Sequence, residues 1–579
     1  MGIAISPRLR TFLFKLSLAL LGFVTLNLWV LFLSKGYAFS LGFLKISSHR
    51  PGQLFLYQII LVALLRLLFY EDSKKFWKRR KPLEVPDHES SRTFSAAVFL
   101  AICLGALLAY KGTLSSYFLS DDFEFLNLFH RLPSLSLDAL IGYFKNFGLL
   151  RPLSLFTLEM DYRLWGLNPF GYHLTSLIFH IGSAWLVFIF LRHLARDSYL
   201  SSAAALFFTV HPLNLETVTW ISGRFDAACT FFYLLSLTLF LYFRRSGNVV
   251  HMWLSSLAFL GALLSKETAL TLPVLILAVD LFSPEERKGH WSEAFKRFLP
   301  YALILAGYII LRFLLLGGIA GSFYSANALA LSKGNIIIDI KHFLSRPFGP
   351  LFVPLNKTAI ASAGLLETGI LVGLSVLILS VLVRPRFPFK VCFFGLLFIF
   401  ATAIPTFKIL YISNTLQGSR FLYLPAVGAC VILAVLAKPD LSSKGKHALA
   451  LRFLLPSLVI ILFLFVHRAN SQPWKQAGTV SKTMVEKALY SIQSLTPPQR
   501  VLVLYLPDNI QGAYVFRNGF SAALDLLGKP DGLEIVDLKK LSPGELNECE
   551  SYTVLAWKKE HFSLYKAPGK TFMYIKSVQ

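Results

Sequence analysis

Long apolar runs separated by short polar segments are the main pattern along this chain. A bilayer span needs about 20 apolar residues, and somewhat shorter runs can also be accommodated. About thirteen runs meet this condition. They lie near residues 11–33, 53–70, 94–111, 172–192, 199–213, 226–243, 250–265, 269–283, 299–317, 363–383, 388–407, 420–437 and 453–467. The pattern predicts an α-helical polytopic membrane protein with about 13 transmembrane helices.

The first run, from about Thr11 to Leu33, is too long for a signal peptide and lacks a clear small-residue cleavage site. We therefore expect it to be retained as the first span.

The segment between the third and fourth runs, from Lys111 to Phe170, is longer than a plain connector needs to be. Its stretch RPLSLFTLEMDYRLWG has apolar residues at mixed three- and four-residue spacing, which predicts an amphipathic helix lying on the membrane plane. Pro152 would stand in the first turn, where its missing N–H costs nothing.

The composition changes after Val466, and Pro497–Pro498 mark a linker. VLVLYLP, LEIVDL and YTVLAWKK are typical of strands, and GAYVFRNGFSAALDLL is interpreted as a helix. Residues 471–579 are thus predicted to form a small C-terminal α/β domain. They contain no catalytic signature that we can identify.

Charge placement sets the expected topology. The chain has 579 residues and a formal net charge of +25, which could suggest nucleic acid as a partner. The basic residues cluster in short loops between apolar runs, however, as in KKFWKRRK from Lys74 to Lys81. The positive-inside rule then makes these loops and the N-terminus cytoplasmic and places the C-terminal domain on the opposite, periplasmic face. We expect contact with membrane lipids and no nucleic acid.

The five cysteines have no paired spacing typical of a disulfide framework or a zinc site.

The same topology places five segments on the outer side, near residues 111–170, 211–224, 265–268, 317–367 and 405–420. The unusual polar residues concentrate in or next to these segments. They are Asp121, Asp122, Arg151, His173, His211, Glu216, Arg224, Lys266, Glu267, Lys408 and Arg420. This distribution predicts one site that is lined by several loops.

Asp121 and Asp122 are the candidate catalytic residues. A carboxylate at the bilayer centre costs roughly 2.5–3.5 kcal/mol on insertion scales, so the pair belongs at an interface or in a watered cavity. Such a pair can perform acid/base chemistry. The alternative is a helix N-cap, because Ser120 and the two aspartates precede the helical pattern FEFLNLFH.

Arg224, Lys266 and Arg420, with Arg151 as a fourth, are candidates for binding a phosphate. The alternative for each is an interfacial anchor whose charge reaches the lipid headgroups. His173, His211, Glu216 and Glu267 are further candidates for lining the site. For His211 and Glu216 a capped helix end is at least as good an explanation, and Lys266–Glu267 could be a charged pair in a tight turn.

His173 and its neighbour His180 lack evident further metal ligands, which favours a structural role.

Three blocks of the middle region carry a family resemblance. They begin at Arg151 (RPLSLFTLEMDYRLWG), at His211 (HPLNLETVTWISGRFDAACTFF) and at Leu263 (LLSKETALTLPVLILAVDLF). With Asp121–Asp122 and the later SRFLYLPAVG, they resemble membrane glycosyltransferases of the GT-C superfamily. The transmembrane O-mannosyltransferases with tetratricopeptide repeats, and their bacterial relatives, are the most similar group. The resemblance covers roughly residues 94–470, which leaves residues 1–93 as a two-span region with a basic cytoplasmic loop. The chain departs from the group in lacking the repeats and in having two additional spans.

The resemblance implies a sugar donor linked to polyprenyl phosphate and transfer, usually inverting, on the outer or lumenal face. The family's acidic motif matches Asp121–Asp122, one of which would accept the proton of the acceptor hydroxyl. The acceptor is left open as a protein, a lipid or a glycan, and a divalent metal is also left open. A bacterial inner membrane is the expected location.

Two alternative functions remain: a transporter or flippase for lipid-linked glycans, and a polymerase or ligase of envelope glycans. A transporter would be expected to show internal repeats and polar residues at mid-span. We find no convincing repeat, and the polar residues lie at one face.

Overall fold

A computed structural model describes residues 92–568, together with short segments between residues 19 and 65. Within the main range, the residues outside the description are 133–136, 283–290, 319–346, 385–386, 407–411, 439–445, 498, 539–540, 542–550 and 559. The basic stretch Lys74–Lys81 and Lys408 lie outside the described residues, as do most of the first two predicted spans.

Helices account for most of the described chain. The helices are α1 (Arg92–Tyr110), α2 (Asp121–Arg131), α3 (Leu137–Phe147), α4 (Pro152–Trp165), α5 (Pro169–Ala195), α6 (Ser198–Val210), α7 (Leu215–Thr219), α8 (Arg224–Ser246), α9 (Val249–Leu263), α10 (Leu272–Phe282), α11 (Trp291–Leu316), α12 (Phe348–Phe352), α13 (Ala363–Val383), α14 (Phe389–Ala403), α15 (Tyr423–Ala437), α16 (Lys446–Asn470), α17 (Gln472–Ile492) and α18 (Phe520–Leu526). Short 3₁₀ turns stand at Pro212–Asn214, Ile221–Gly223, Glu267–Thr271, Ile404–Thr406 and Ser419–Leu422.

Within the described residues, 8 helices are long and apolar enough to cross a membrane, and α6 and α9 are shorter apolar helices. The last eleven predicted runs all contain helices, whereas the total of thirteen spans is not confirmed. Large apolar side chains on these helices are exposed, including Leu100, Leu303 and Leu314. A water-soluble protein would bury such side chains, so the exposed apolar belt is typical of a surface that faces lipid. The chain is a multi-pass membrane protein.

Helix α15 lies at the centre of the bundle, since every one of its residues is buried. It packs closely on α14, where a Cβ atom added at Gly428 would clash with the Gly395 carbonyl oxygen. Small residues at such a crossing let two membrane helices approach and gain van der Waals contact.

Successive helices place their connections at two opposite ends of the bundle. At one end, Arg384 donates hydrogen bonds to the carbonyl oxygens of Leu436 and Lys438, and Lys438 pairs with Asp197. At the other end the five predicted outer segments meet. We call this end the polar end, and the contacts that join its segments are given below.

The predicted helix over RPLSLFTLEMDYRLWG is confirmed as α4, with Pro152 in its first turn. Its buried residues are polar as well as apolar, whereas Phe156 and Leu164 are exposed, so the expected apolar face is not seen. The position on the membrane plane stays a prediction. The buried residues are Ser154, Leu155, Leu158, Glu159 and Asp161.

The C-terminal segment forms a four-stranded sheet of β3 (Gln499–Leu504), β6 (Leu533–Asp537), β7 (Ser551–Lys558) and β8 (His561–Pro568). The hairpins β1 (Ala38–Leu41) with β2 (Leu44–Ser47), and β4 (Asn509–Ile510) with β5 (Ala513–Tyr514), are separate. The sheet order is β6-β3-β7-β8, with β3 parallel to both β6 and β7, and β8 antiparallel to β7. The three predicted strands are therefore present, and β8 was not predicted.

The helix predicted over GAYVFRNGFSAALDLL is wrong in its first half. The chain there forms β5 and a loop, and only α18 is helical. Gly519 precedes α18 with φ 83°, a conformation that ends any helix running in from the N-terminal side. The resulting loop, Val515–Gly519, packs on the segment that carries the aspartates, as described below.

Candidate active site

The two aspartates stand in the first turn of α2, at the polar end. Ser120 precedes them with φ 48°, a strained conformation for a residue with a side chain. Its N–H donates to the Val515 carbonyl oxygen at 2.9 Å, so the C-terminal segment holds the turn in place. The Ser120 side chain makes no capping bond to α2. The aspartates thus occupy helix positions rather than the N-cap position itself.

Asp122 is buried and its carboxylate is fully engaged. One oxygen, Oδ1, accepts hydrogen bonds from the Ser222 N–H at 2.9 Å and the Ser222 hydroxyl at 2.5 Å. The other oxygen, Oδ2, accepts from the Leu119 N–H at 2.9 Å. Burial raises the pKa of Asp122 to about 7, although the bonds from Ser222 and Leu119 oppose the rise. These contacts tie α2 to the turn Ile221–Gly223 and leave little of the carboxylate for a substrate.

Asp121 has a different environment. Its side chain is 25% exposed and pairs with Arg517 at 3.1 Å. The Ser120 hydroxyl donates to the Asp121 Oδ1 at a longer 3.3 Å. Arg517 itself is more exposed than Asp121, so this ion pair stands at the surface of the site. Asp121 is the aspartate that an incoming hydroxyl could approach.

Arg420 is packed among aromatic rings. It donates to the carboxylate of Glu216 and, at 2.8 Å, to the Tyr514 hydroxyl. Its guanidinium lies 4.6 Å from the ring centroid of Phe421 and 5.0 Å from that of Trp220. Cations near aromatic faces gain electrostatic energy, and the planar guanidinium keeps further donors for an anion.

Lys266 lies beside Arg420. Its ammonium contacts the Asp226 carboxylate at 2.5 Å and lies 5.2 Å from the Phe421 ring centroid. Burial lowers the pKa of Lys266, as do the cations of Arg151 and Arg420, while Asp226 opposes the change. The two cations share one aromatic ring and influence each other electrostatically.

Glu267 holds two arginines. Arg151 reaches it with two nitrogens, the shorter contact being 2.8 Å, and Arg312 contacts it at 3.2 Å. Burial alone would raise the pKa of Glu267, but Arg151 and Arg312 outweigh it and lower that pKa to about 2. The Arg151 guanidinium also lies 5.5 Å from the ring centroid of Phe225.

These pairs join the five outer segments at one end. The first segment, 111–170, is joined to segment 211–224 by the hydrogen bond between Asp122 and Ser222. It is joined to segment 265–268 by the ion pair of Arg151 with Glu267. Segment 211–224 is joined to segment 405–420 by the ion pair of Glu216 with Arg420. Lys357 in the fourth segment donates its N–H to the Asn414 carbonyl oxygen in the fifth. Burial raises the pKa of the Tyr143 hydroxyl, while Arg151 opposes the rise and Asp121 adds to it.

Arg224 differs from the other predicted phosphate ligands. Its side chain is 0% exposed and pairs with Asp161 at 2.5 Å. Its remaining donors reach the Ser176 hydroxyl and the carbonyl oxygens of Thr157 and Tyr172. The arrangement joins α4, α5 and α8 and encloses the guanidinium among protein acceptors. We infer a structural role for Arg224 in place of the predicted role as a donor ligand.

The histidines are also engaged in structural contacts. His211 accepts the Leu213 N–H with one ring nitrogen and contacts the Leu351 carbonyl oxygen with the other, which is the capped helix end considered above. A ring nitrogen of His173 lies 3.0 Å from the Ser116 carbonyl oxygen. His180 lies between the Tyr423 hydroxyl and the Thr209 carbonyl oxygen.

Sequence reasoning missed several residues of the site. They are Asp161, Trp220, Ser222, Asp226, Arg312, Phe421, Tyr514 and Arg517. Asp161, Asp226 and Arg312 were detectable, because each is a charge in or beside an apolar run. Tyr514 and Arg517 gave no such signal, since their partners are far away in the chain.

Among the residues that the structure describes, no group of three His, Cys, Asp or Glu side chains could hold a metal ion.

Fold and site together define a multi-pass membrane protein with a carboxylate and several cations at one end of its helical bundle. No family model matches the chain. Curated relatives do match in part. The chain is 35% identical over 148 residues to the protein O-mannosyl-transferase Tmtc1 of Drosophila melanogaster, covering 24% of this chain and 16% of the relative. It is 26% identical over 340 residues to the protein O-mannosyl-transferase F38B6.6 of Caenorhabditis elegans, covering 56% and 47%.

The chain thus spans less than half the length of these relatives, and the resemblance to transmembrane O-mannosyltransferases is confirmed at the level of sequence. Solved structures give more distant likenesses. A crystal structure of ArnT from Cupriavidus metallidurans bound to undecaprenyl phosphate has a TM-score of 0.41 at 12% identity, covering 83% of this chain and 95% of that one. The Archaeoglobus fulgidus oligosaccharyltransferase has a TM-score of 0.37 at 11% identity, covering 76% and 64%.

Proposed function

We propose that the protein is a membrane glycosyltransferase that moves a sugar from a polyprenyl-phosphate donor to an acceptor hydroxyl. The observation that carries the proposal is the position of Asp121, a partly exposed carboxylate at the same end of the bundle as Arg151, Lys266 and Arg420. The partial sequence similarity to O-mannosyltransferases supports the same reaction class.

Asp121 is the proposed general base. The acceptor oxygen attacks the anomeric carbon, its proton passes to the Asp121 carboxylate, and the bond from that carbon to the phosphate oxygen breaks with inversion. A positioned base of this kind contributes about 10²–10⁴-fold to the rate. Asp122 is proposed to position the turn, because its three hydrogen bonds already occupy both oxygens.

The phosphate of the donor is proposed to bind among Arg420, Lys266 and Arg151. Each of these cations is held by a carboxylate: Arg420 by Glu216, Lys266 by Asp226 and Arg151 by Glu267. Cations held in place in this way can contact an anionic donor and stabilise the charge that develops on the departing phosphate. Glu216 and Glu267 hold these cations, so we assign them positioning roles.

We propose that the polar end faces the periplasm or an equivalent outer compartment, with a bacterial inner membrane as the location. In support, Arg384 and Lys438, which belong to the basic loops, lie at the opposite end of the bundle. We also retain the predicted organisation into residues 1–93, a transmembrane catalytic region 94–470 and a C-terminal domain 471–579 as a proposal.

The test uses the purified full chain in proteoliposomes with a polyprenyl-phosphate donor carrying a radiolabelled sugar. We expect the wild type to release polyprenyl phosphate and to transfer label, and Asp121→Asn to lose transfer. Glu486→Gln is the matched control, because Glu486 is a carboxylate with 65% of its side chain exposed. Movement of intact donor across the bilayer, without cleavage, would instead support a flippase.

A further inference from the structure

A cavity of about 330 Å³ lies between α2 and the C-terminal sheet. Helix α2 contributes Glu124, Asn127 and Arg131 to its wall, and the C-terminal segment contributes Asn518, Ser521 and Asp537 among others. Its volume is at the lower end of the range of about 300–1,000 Å³ typical of small-molecule sites. The cavity is thus large enough for a compact ligand.

The position of the cavity is one at which α/β folds bind ligands. It lies at the carboxyl ends of the parallel strands β3 and β6, since Leu506 follows β3 and Asp537 ends β6. Open α/β sheets bind their ligands outside the carboxyl ends of their strands. The strand order reverses between β3 and β7, and the sheet residues that line the cavity come from β3 and β6, so the cavity lies beside this reversal.

Asn127 provides an independent sign of a ligand. This residue lines the cavity, is only 8% exposed, and its Oδ1 has no hydrogen-bond partner. Buried polar side chains in native proteins are nearly always satisfied, so such a group requires an explanation. An amide can present either an acceptor or donors, and a bound polar molecule would satisfy it.

The cavity is connected to the proposed base. The Ser120 hydroxyl lies 2.5 Å from the Asn518 side-chain oxygen, on the cavity wall, and 3.3 Å from the Asp121 carboxylate. On α2, Glu124 follows Asp121 by three residues and Asn127 follows Glu124 by three. Residues three apart on a helix are neighbours on its surface, so these three side chains lie next to one another along α2. A ligand in the cavity would therefore reach toward Asp121.

The wall chemistry favours a neutral polyhydroxyl ligand. The cation of the wall, Arg131, pairs with Asp525 at 2.6 Å, and Lys529 pairs with the same carboxylate at 2.8 Å. These cations are already engaged by a carboxylate, which disfavours a phosphate as the ligand. Carboxylate and amide oxygens accept hydrogen bonds from hydroxyl groups, and Phe516 and Phe520 add apolar faces to the wall.

We propose that this cavity binds a sugar of the acceptor, so that one of its hydroxyls is presented to Asp121. The inference rests on the proposed glycosyl transfer and narrows its acceptor to a glycan or glycolipid sugar. A serine- or threonine-containing peptide is the competing acceptor. The C-terminal domain is then part of the acceptor site and supplies the wall opposite α2.

Two variants test this assignment. Asn127→Leu removes the unsatisfied amide at similar volume, and Ser521→Phe fills the cavity from the opposite wall. Binding is measured by saturation-transfer NMR on the detergent-purified full chain, with methyl glucoside, methyl N-acetylglucosaminide and a threonine-containing octapeptide as probes. The transfer assay then gives KM for the better glycoside and for the donor. Glu486→Gln is the control.

We expect glycoside signals for the wild type, their loss in both variants, and an acceptor KM raised at least 10-fold with a much smaller change in donor KM. Peptide binding in place of glycoside binding would overturn the proposal, as would unchanged glycoside binding in both folded variants. If the wild type binds glycosides in the cavity but cleaves no donor, the proposed transfer fails while the sugar site stands.

Discussion

Replacing each aspartate by asparagine separates the structural role of Asp122 from the catalytic role proposed for Asp121. In Asp122 both oxygens accept hydrogen bonds, two from Ser222 and one from Leu119. An asparagine at this position has only one oxygen, so its NH₂ group must face a donor in either orientation of the amide. An unsatisfied buried donor costs about 1–3 kcal/mol, and we expect Asp122→Asn to lose that much stability near pH 4, where the raised pKa keeps the carboxyl of Asp122 uncharged in the folded protein.

Asp121→Asn should change stability far less. Its contact with Arg517 is an ion pair between partly exposed side chains, and such pairs contribute about 0–1 kcal/mol. Both variants are compared with the wild type by equilibrium unfolding in the same detergent, monitored by tryptophan fluorescence. Equal stability of the two variants, or a larger loss for Asp121→Asn, would refute this division of roles.

Three further outcomes follow from the ion pairs and pKa values of the polar end. The pKa of Asp122 in the folded protein, about 7, exceeds the value of 3.8 for a free carboxyl, so the protonated form favours folding. The free energy of unfolding should therefore fall as pH rises from about 4 to about 7. Unfolding measurements across this pH range should find a smaller fall in Asp122→Asn. The pKa of Glu267 is lowered to about 2, so the stability that its ionised form contributes is present above pH 4.5 and is lost as pH falls toward 2. Glu267→Gln leaves Arg151 and Arg312 without their shared partner and should cost about 3–5 kcal/mol. Glu367→Gln should cost at most about 1 kcal/mol, because its partner Lys357 is 40% exposed. Arg420→Lys keeps the charge but loses the planar stacking group, so we expect donor KM to rise about 10-fold in the transfer assay, while Arg224→Lys should lower stability without a selective effect on donor KM.

The periodic parts of the fold were predictable from sequence because local patterns determine them. The three- and four-residue spacing in RPLSLFTLEMDYRLWG, with Pro152 at its start, is sufficient to predict that α4 is a helix. The alternation of apolar runs with basic loops likewise placed the polar residues of distant segments at one end. Strands β3, β6 and β7 followed from short apolar runs.

The errors have a common physical cause, because a side chain's partner is set by tertiary structure. Arg224 and Arg420 each belong to a polar segment next to an apolar run. In the folded protein, however, Arg224 is enclosed by Asp161 and its neighbours, whereas Arg420 is surrounded by aromatic rings. Arg517 pairs with Asp121 across 396 residues, a separation at which no periodicity is informative. The false helix before Gly519 arose because apolar spacing does not report a positive φ.

The chemical step itself gives the most direct test of the central claim, that Asp121 takes the proton of the acceptor hydroxyl. Single-turnover transfer is measured at saturating radiolabelled donor for the wild type, Asp121→Asn and Glu486→Gln in proteoliposomes. The account predicts that Asp121→Asn binds donor and remains folded but transfers sugar about 10²–10⁴-fold more slowly, with Glu486→Gln unchanged. Transfer by folded Asp121→Asn at the wild-type rate would contradict it.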